Sequence, residues 1–134
     1  MQRLKTRAQF QAVMAGATVS RSPHFALHRV ALDAPPITGS GSPERSQTLF
    51  AVRDQAWIGA LIPKRWAKRA VTRNAIKRQI YTVAQDFQSE LPAAAHVVRL
   101  RAAFDRDLYP SATSDALKRA VRAELQRLLA GARA

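Results

Sequence analysis

Residues 64–78 read Lys-Arg-Trp-Ala-Lys-Arg-Ala-Val-Thr-Arg-Asn-Ala-Ile-Lys-Arg, and seven of these fifteen side chains are cationic. No Asp or Glu falls between Asp54 and Asp86. Guanidinium forks match phosphate oxygens with paired hydrogen bonds, while the Lys ammonium acts as a compact point charge. Arg69, Arg73 and Lys77 recur every four residues, the spacing of one helix face, and so could track a phosphate backbone. Asn74 adds neutral donors and an acceptor suited to a base edge or a hydrated ion. A solvated helix face usually mixes charge signs for pairing four residues apart, whereas this one carries a single sign. The partner class implied is a polyphosphate, nucleic acid above all. Trp66, inside the same run, is a candidate for stacking on a base.

The elements that must position these groups follow from periodicity. A helix is expected over about 69–89, with an apolar stripe of Ile76, Ile80, Val83 and Phe87 lying within about 60° of arc. Arg73, Asn74, Lys77, Arg78 and Tyr81 occupy the adjoining arc, so one side can pack on a sheet while the other presents charge. Thr6-Arg-Ala-Gln9 has the form of a capping box and opens a short helix at about 7–15, ended by Gly16. Strands are expected at Phe25–Leu32, Leu49–Val52, Trp57–Ile62 and His96–Leu100, with Arg53-Asp54-Gln55 as a hairpin turn between the middle two. Ser114-Asp115 caps a last helix of about 115–130 carrying Leu117, Val121, Leu125 and Leu128. Residues 34–47 hold three Pro and two Gly and read as a mobile surface loop. The order of elements predicts an α+β two-layer sandwich: a small mixed sheet packed with about three helices, and a βαβ crossover through the basic helix if its strands run parallel. We expect one domain spanning 1–134, with a flexible insertion at about 34–55.

The chain has 134 residues and a formal net charge of +13, an excess that a polyanionic partner would offset. It contains no cysteine, which excludes disulfides, thiol catalysis and Cys-based zinc sites. No run approaches the roughly eighteen apolar residues needed to span a bilayer, and charged residues interrupt the first twenty positions. A cytoplasmic location without membrane contact is therefore expected. The carboxylates are scattered; Asp105 and Asp107 form the only close pair and suit a turn better than a metal site. No metal-binding or catalytic side chain is expected. His24 and His28 read as structural residues near an edge strand.

The segment Lys64-Arg65-x-x-Lys68-Arg69-Ala70-Val71-x-Arg73-Asn74-x-Ile76-Lys77-Arg78 resembles the signature of the bacterial ribonuclease P protein subunit. Phe10 after the basic start, Phe25-Ala-Leu27, Ile58-Gly59 and His96-Val-Val98 agree with the flanking elements of that family. The chain departs from the pattern at Ala75, where the family carries a second Arg, and at Gln79-Ile80-Tyr81-Thr82.

The resemblance implies a protein cofactor of a catalytic RNA that removes the 5′ leader from precursor tRNA, with Mg2+ held mainly by the RNA and the substrate. It implies RNA contacts at Lys64, Arg65, Lys68, Arg69, Arg73, Asn74, Lys77 and Arg78. It further implies a leader-binding cleft at Phe10, Met14, Phe25 and His28, for which core packing is the competing reading of Phe10 and Met14. The expected partners are the catalytic RNA and precursor tRNA, with no protein partner. The alternatives are a generic RNA-binding or ribosome-associated basic protein, and a protein-only nuclease, which would need clustered carboxylates.

Overall fold

The computed structural model describes residues 1–32, 50, 54–104 and 115–132. In chain order these form β1 (Gln2–Arg3), α1 (Arg7–Met14), β2 (Ala17–Arg21), β3 (Phe25–Ala31), β4 (Trp57–Leu61), α2 (Ala70–Asp86), β5 (Ala94–Leu100) and α3 (Asp115–Ala130). The five strands make one sheet in the order β1-β4-β5-β3-β2. β4 runs parallel to both β1 and β5, whereas β3 runs antiparallel to β5 and β2. The sheet is thus mixed, and the expected βαβ unit forms from β4 through α2 to β5. Parallel central strands lie buried on both faces, which fits the near-continuous apolar runs of β4 and β5.

Each face of the sheet carries its own apolar layer. On one side Leu27, Ile58, Ala60, Val98 and Leu100 pack under α2 and α3, meeting Ile76, Ile80, Val83, Val121 and Leu125. On the other side Trp57, Ala95 and Val97 pack under α1 with Leu4, Ala12 and Val13. The predicted stripe of α2 is buried at Ile76, Ile80 and Val83, while Phe87 is its C-cap and only partly buried.

At α1 the capping box forms as read: Gln9 N–H donates to the Thr6 hydroxyl at 3.2 Å. The Gln9 side-chain oxygen accepts from the backbone N–H groups of Lys5 at 2.7 Å and Thr6 at 3.1 Å. An eight-residue helix gains little from propensity alone, so these caps and the contact with the sheet carry it.

Two strands have no sequence counterpart. β1 has two residues, too few to show alternation. β2 is a largely polar, exposed edge strand whose pairing with β3 shifts register between Thr18 and Ser20. β1 and β5 flank β4 on its two edges at Trp57 and Ile58, and the expected hairpin turn falls partly outside the described residues, at Arg53. The loop at 34–47, Ser114 and most of the Leu49–Val52 strand lie outside the described residues. Within the expected insertion, Phe50 is 1% exposed and meets Trp57 edge-on at 5.5 Å between ring centres.

Candidate nucleic-acid interface

The basic run begins where β4 ends. Ile62 and Ala67 are buried, and the backbone N–H groups of Trp66 and Ala67 both donate to the Pro63 carbonyl, at 3.1 and 3.2 Å. This tight turn leads to Arg69, an extended N-cap with no side-chain hydrogen bond to the helix end. Lys64, Arg65, Lys68, Arg69, Asn74, Lys77 and Arg78 are exposed. Among the described residues the ion pairs are His24–Glu124 and Arg122–Asp86, so none of the seven cations of the run is paired with a carboxylate there.

Arg73 behaves differently from the expected ladder of Arg69, Arg73 and Lys77. Its Nη1 donates to the Ala67 carbonyl at 3.0 Å and the Lys68 carbonyl at 2.8 Å. The guanidinium is turned back onto the turn and fixes the loop that presents Lys68. Ala75, the departure from the family pattern, lies at the contact of α2 with α3, beside Gln79, Leu117 and Val121. Tyr81 lies beneath Arg3, whose guanidinium carbon is 4.2 Å from the ring centre.

The second expected site divides in two. Phe10 and Met14 are partly buried on the α1 side of the sheet, and a Cβ added at Gly59 would come within 2.7 Å of the Phe10 ring. Gly59, Val97, His28 and Thr18 are register neighbours across β4, β5, β3 and β2. The next row is Leu61, Arg99, Ala26 and Arg21. His28 therefore belongs to the same face as Phe10 and Met14.

Phe25 does not. It is 0% exposed in the layer beneath α2 and α3. Strand side chains alternate between faces, so residues 25 and 28 cannot share one, and Phe25 is corrected to a core residue.

His28 Nε2 accepts from Arg99 Nε at 3.2 Å, and Nδ1 lies 3.2 Å from the Thr18 hydroxyl. Burial first, then the charges of Arg99 and Arg21, push its pKa below the ordinary value. A neutral ring bonded this way donates from Nδ1 to Thr18. Arg99 and Arg21 supply cations to this face that sequence reasoning missed. Alternation with Val97 along β5 is the signal that could have found Arg99.

Among the described residues no three His, Asp or Glu side chains gather as metal ligands. No described helix is long and apolar enough to cross a membrane.

A mixed sheet sandwiched by helices, with an exposed run at 64–78 whose charges are all cationic, defines an RNA-binding protein of α+β fold. Comparison with known proteins narrows the class. The Ribonuclease P family profile matches residues 1–129. The ribonuclease P protein component of Bordetella petrii is 33% identical over 124 residues, covering 92% of this chain and 85% of that protein. That of Ralstonia pickettii is 35% identical over 127 residues, covering 94% and 75%. The ribonuclease P protein of Staphylococcus aureus superposes with a TM-score of 0.62 at 21% identity, covering 97% of this chain and 94% of that one. That of Thermotoga maritima gives 0.59 at 19% identity, covering 96% of each. The chain belongs to the ribonuclease P protein family and serves tRNA processing alongside the ribonuclease P RNA.

Proposed function

We propose that this chain is the RNA- and leader-binding subunit of a ribonuclease P whose catalysis resides in its RNA. The observation that carries the reading is the exposed face of Lys64, Arg65, Lys68, Arg69, Lys77 and Arg78, unpaired among the described residues and anchored to the sheet through Ile76 and Ile80. Six fixed cations on one rigid support bind a folded RNA by neutralising its phosphates and releasing counterions. Asn74 stands among them as the neutral group able to meet a base edge or a 2′-hydroxyl.

The face beneath α1 would receive the single-stranded 5′ leader of precursor tRNA. Phe10 and Met14 offer apolar contact to bases, while Arg99 and Arg21 offer charge to the backbone. His28, held neutral, orients Arg99 rather than repelling it. The protein thereby tethers substrate and screens repulsion between the two RNAs, which lowers the magnesium the reaction requires. Mg2+ would be held mainly by the RNA and the substrate, and the cut is hydrolysis of one phosphodiester bond.

The test is cleavage of precursor tRNA by the catalytic RNA at low magnesium, with and without this chain. Strong stimulation that grows with leader length is expected. Absence of stimulation would overturn the reading, and equal affinity for precursor and mature tRNA would reduce the chain to a generic RNA binder.

A further inference from the structure

We infer that a cavity beside the basic loop receives one unstacked base of the catalytic RNA, with Trp66 as the residue that reads it. The inference rests on the ribonuclease P reading for its partner and adds where a base is held. The cavity, about 210 Å³, lies among Trp66, Thr72, Ile76, Phe104 and Leu117, with Arg65, Lys68 and Arg69 also lining it. Ile76 and Leu117 belong to the core layer under α2 and α3, so the floor is apolar and fixed. The three cations are exposed, and among the described lining residues none is acidic.

Two features point to a planar ligand with polar edges. The Trp66 indole Nε1–H is buried and has no hydrogen-bond partner among the described residues, which leaves a desolvated donor in want of an acceptor. Phe104 supplies a rigid aromatic wall, since its ring stacks on His24 at 3.9 Å with an interplanar angle of 10°. His24 is held in turn by the buried Glu124, at 2.7 Å from Nδ1. Arg65 lies over the Trp66 ring, 5.2 Å from its centre.

A bare phosphate would use the cations but neither the apolar floor nor the indole donor. An apolar peptide side chain would use the floor and nothing else. A nucleotide uses all three: its ring meets the aromatic walls, its phosphates meet Arg65, Lys68 and Arg69, and an edge acceptor accepts from the indole N–H once the Trp66 side chain turns to uncover it. The cavity opens among residues of the α2–α3 side, away from the α1 face, which assigns it to the catalytic RNA rather than the leader.

The chain has two tryptophans, so its indole N–H region in a nitrogen-correlated NMR spectrum holds two resonances, and Trp57→Phe identifies that of Trp66. The full chain is titrated with AMP, GMP, CMP and UMP at millimolar concentration, and with ribose 5-phosphate as the base-free control. The Trp66 resonance should shift saturably with at least one nucleotide and not with ribose 5-phosphate. Ala103→Leu, at an exposed lining position, should abolish the response while leaving the rest of the spectrum in place.

No shift with any nucleotide, or an equal shift with ribose 5-phosphate, overturns the proposal. Trp66→Phe keeps a ring but deletes the donor, and should weaken binding to the catalytic RNA about tenfold without changing affinity for precursor tRNA alone. Unchanged affinity for the catalytic RNA, or a loss confined to precursor tRNA, also overturns it. Wild-type stimulation of cleavage is measured in parallel. Stimulation with a silent indole sinks this inference alone; no stimulation sinks the functional reading beneath it.

Discussion

His96 is 0% exposed in β5, where Arg29 Nε donates to its Nε2 at 3.0 Å and its Nδ1 meets the Trp57 carbonyl at 3.2 Å. Arg29 also donates to the Ala132 carbonyl, so this imidazole links the sheet to the end of α3. Burial first, then the Arg29 charge, lowers its pKa from 6.5 to about 4. Above 6.5 the ring is neutral both folded and unfolded. As pH falls below that value the unfolded chain takes up a proton that the folded chain refuses, so stability drains away until about pH 4. The loss attributable to His96 between pH 7 and pH 4.5 should be about 2 to 3 kcal/mol. Urea unfolding at both values would check it: His96→Gln should show a smaller pH dependence by that amount, and an identical dependence would refute the linkage. The sequence marked His96 only as the start of a strand; its role depends on Arg29, sixty-seven positions away, which no local pattern exposes.

Among the elements, the fit of α1 against the sheet depends on two glycines with different tolerances. A Cβ at Gly16 would collide with the Arg29 carbonyl oxygen, a backbone atom of β3. A Cβ at Gly59 would meet the Phe10 ring at 2.7 Å and the Leu4 side chain at 2.8 Å, both ends of side chains that can turn away. Gly16→Ala should therefore cost about 3 kcal/mol, the upper part of the range for overpacking, and Gly59→Ala about 1 kcal/mol. Their functional order should reverse once each is folded: Gly59→Ala displaces Phe10 and should weaken leader binding, which fluorescence titration with a labelled leader oligonucleotide would read. Thermal melts give the stability order. The helices were legible because caps and apolar spacing are local. Strand partners were not, because the parallel pairing of β4 with β1 joins Gln2 to Trp57 across residues that carry no shared pattern.

Across the whole molecule, 22 basic residues face 9 acidic ones, and the 64–78 segment concentrates seven cations on a fixed support. With Arg73 committed to the turn, six of its seven cations remain for phosphates, and the logarithm of affinity should fall with that of salt at a slope of about −4 to −5. Lys77→Ala should flatten that slope by about one unit. Arg73→Ala should instead lower stability and loosen Lys68 while changing the slope less. Equal flattening by both would mean that Arg73 contacts RNA directly. The basic run and its helix were readable from residue order alone. The inward turn of Arg73 was not, since a helical wheel shows the arc a side chain leaves from and not the carbonyls it returns to.

The strand order has a kinetic consequence. β1 has no partner until Trp57 has been made, and β3 gains its inner neighbour only with β5. Closure of the sheet thus waits on contacts distant in sequence, which are slow to form. The cationic segment between β4 and β5 leaves the ribosome before the strand that completes its support. A polyanion met at that stage would find an unfinished fold, and an RNA that binds α2 then would narrow the search for β5.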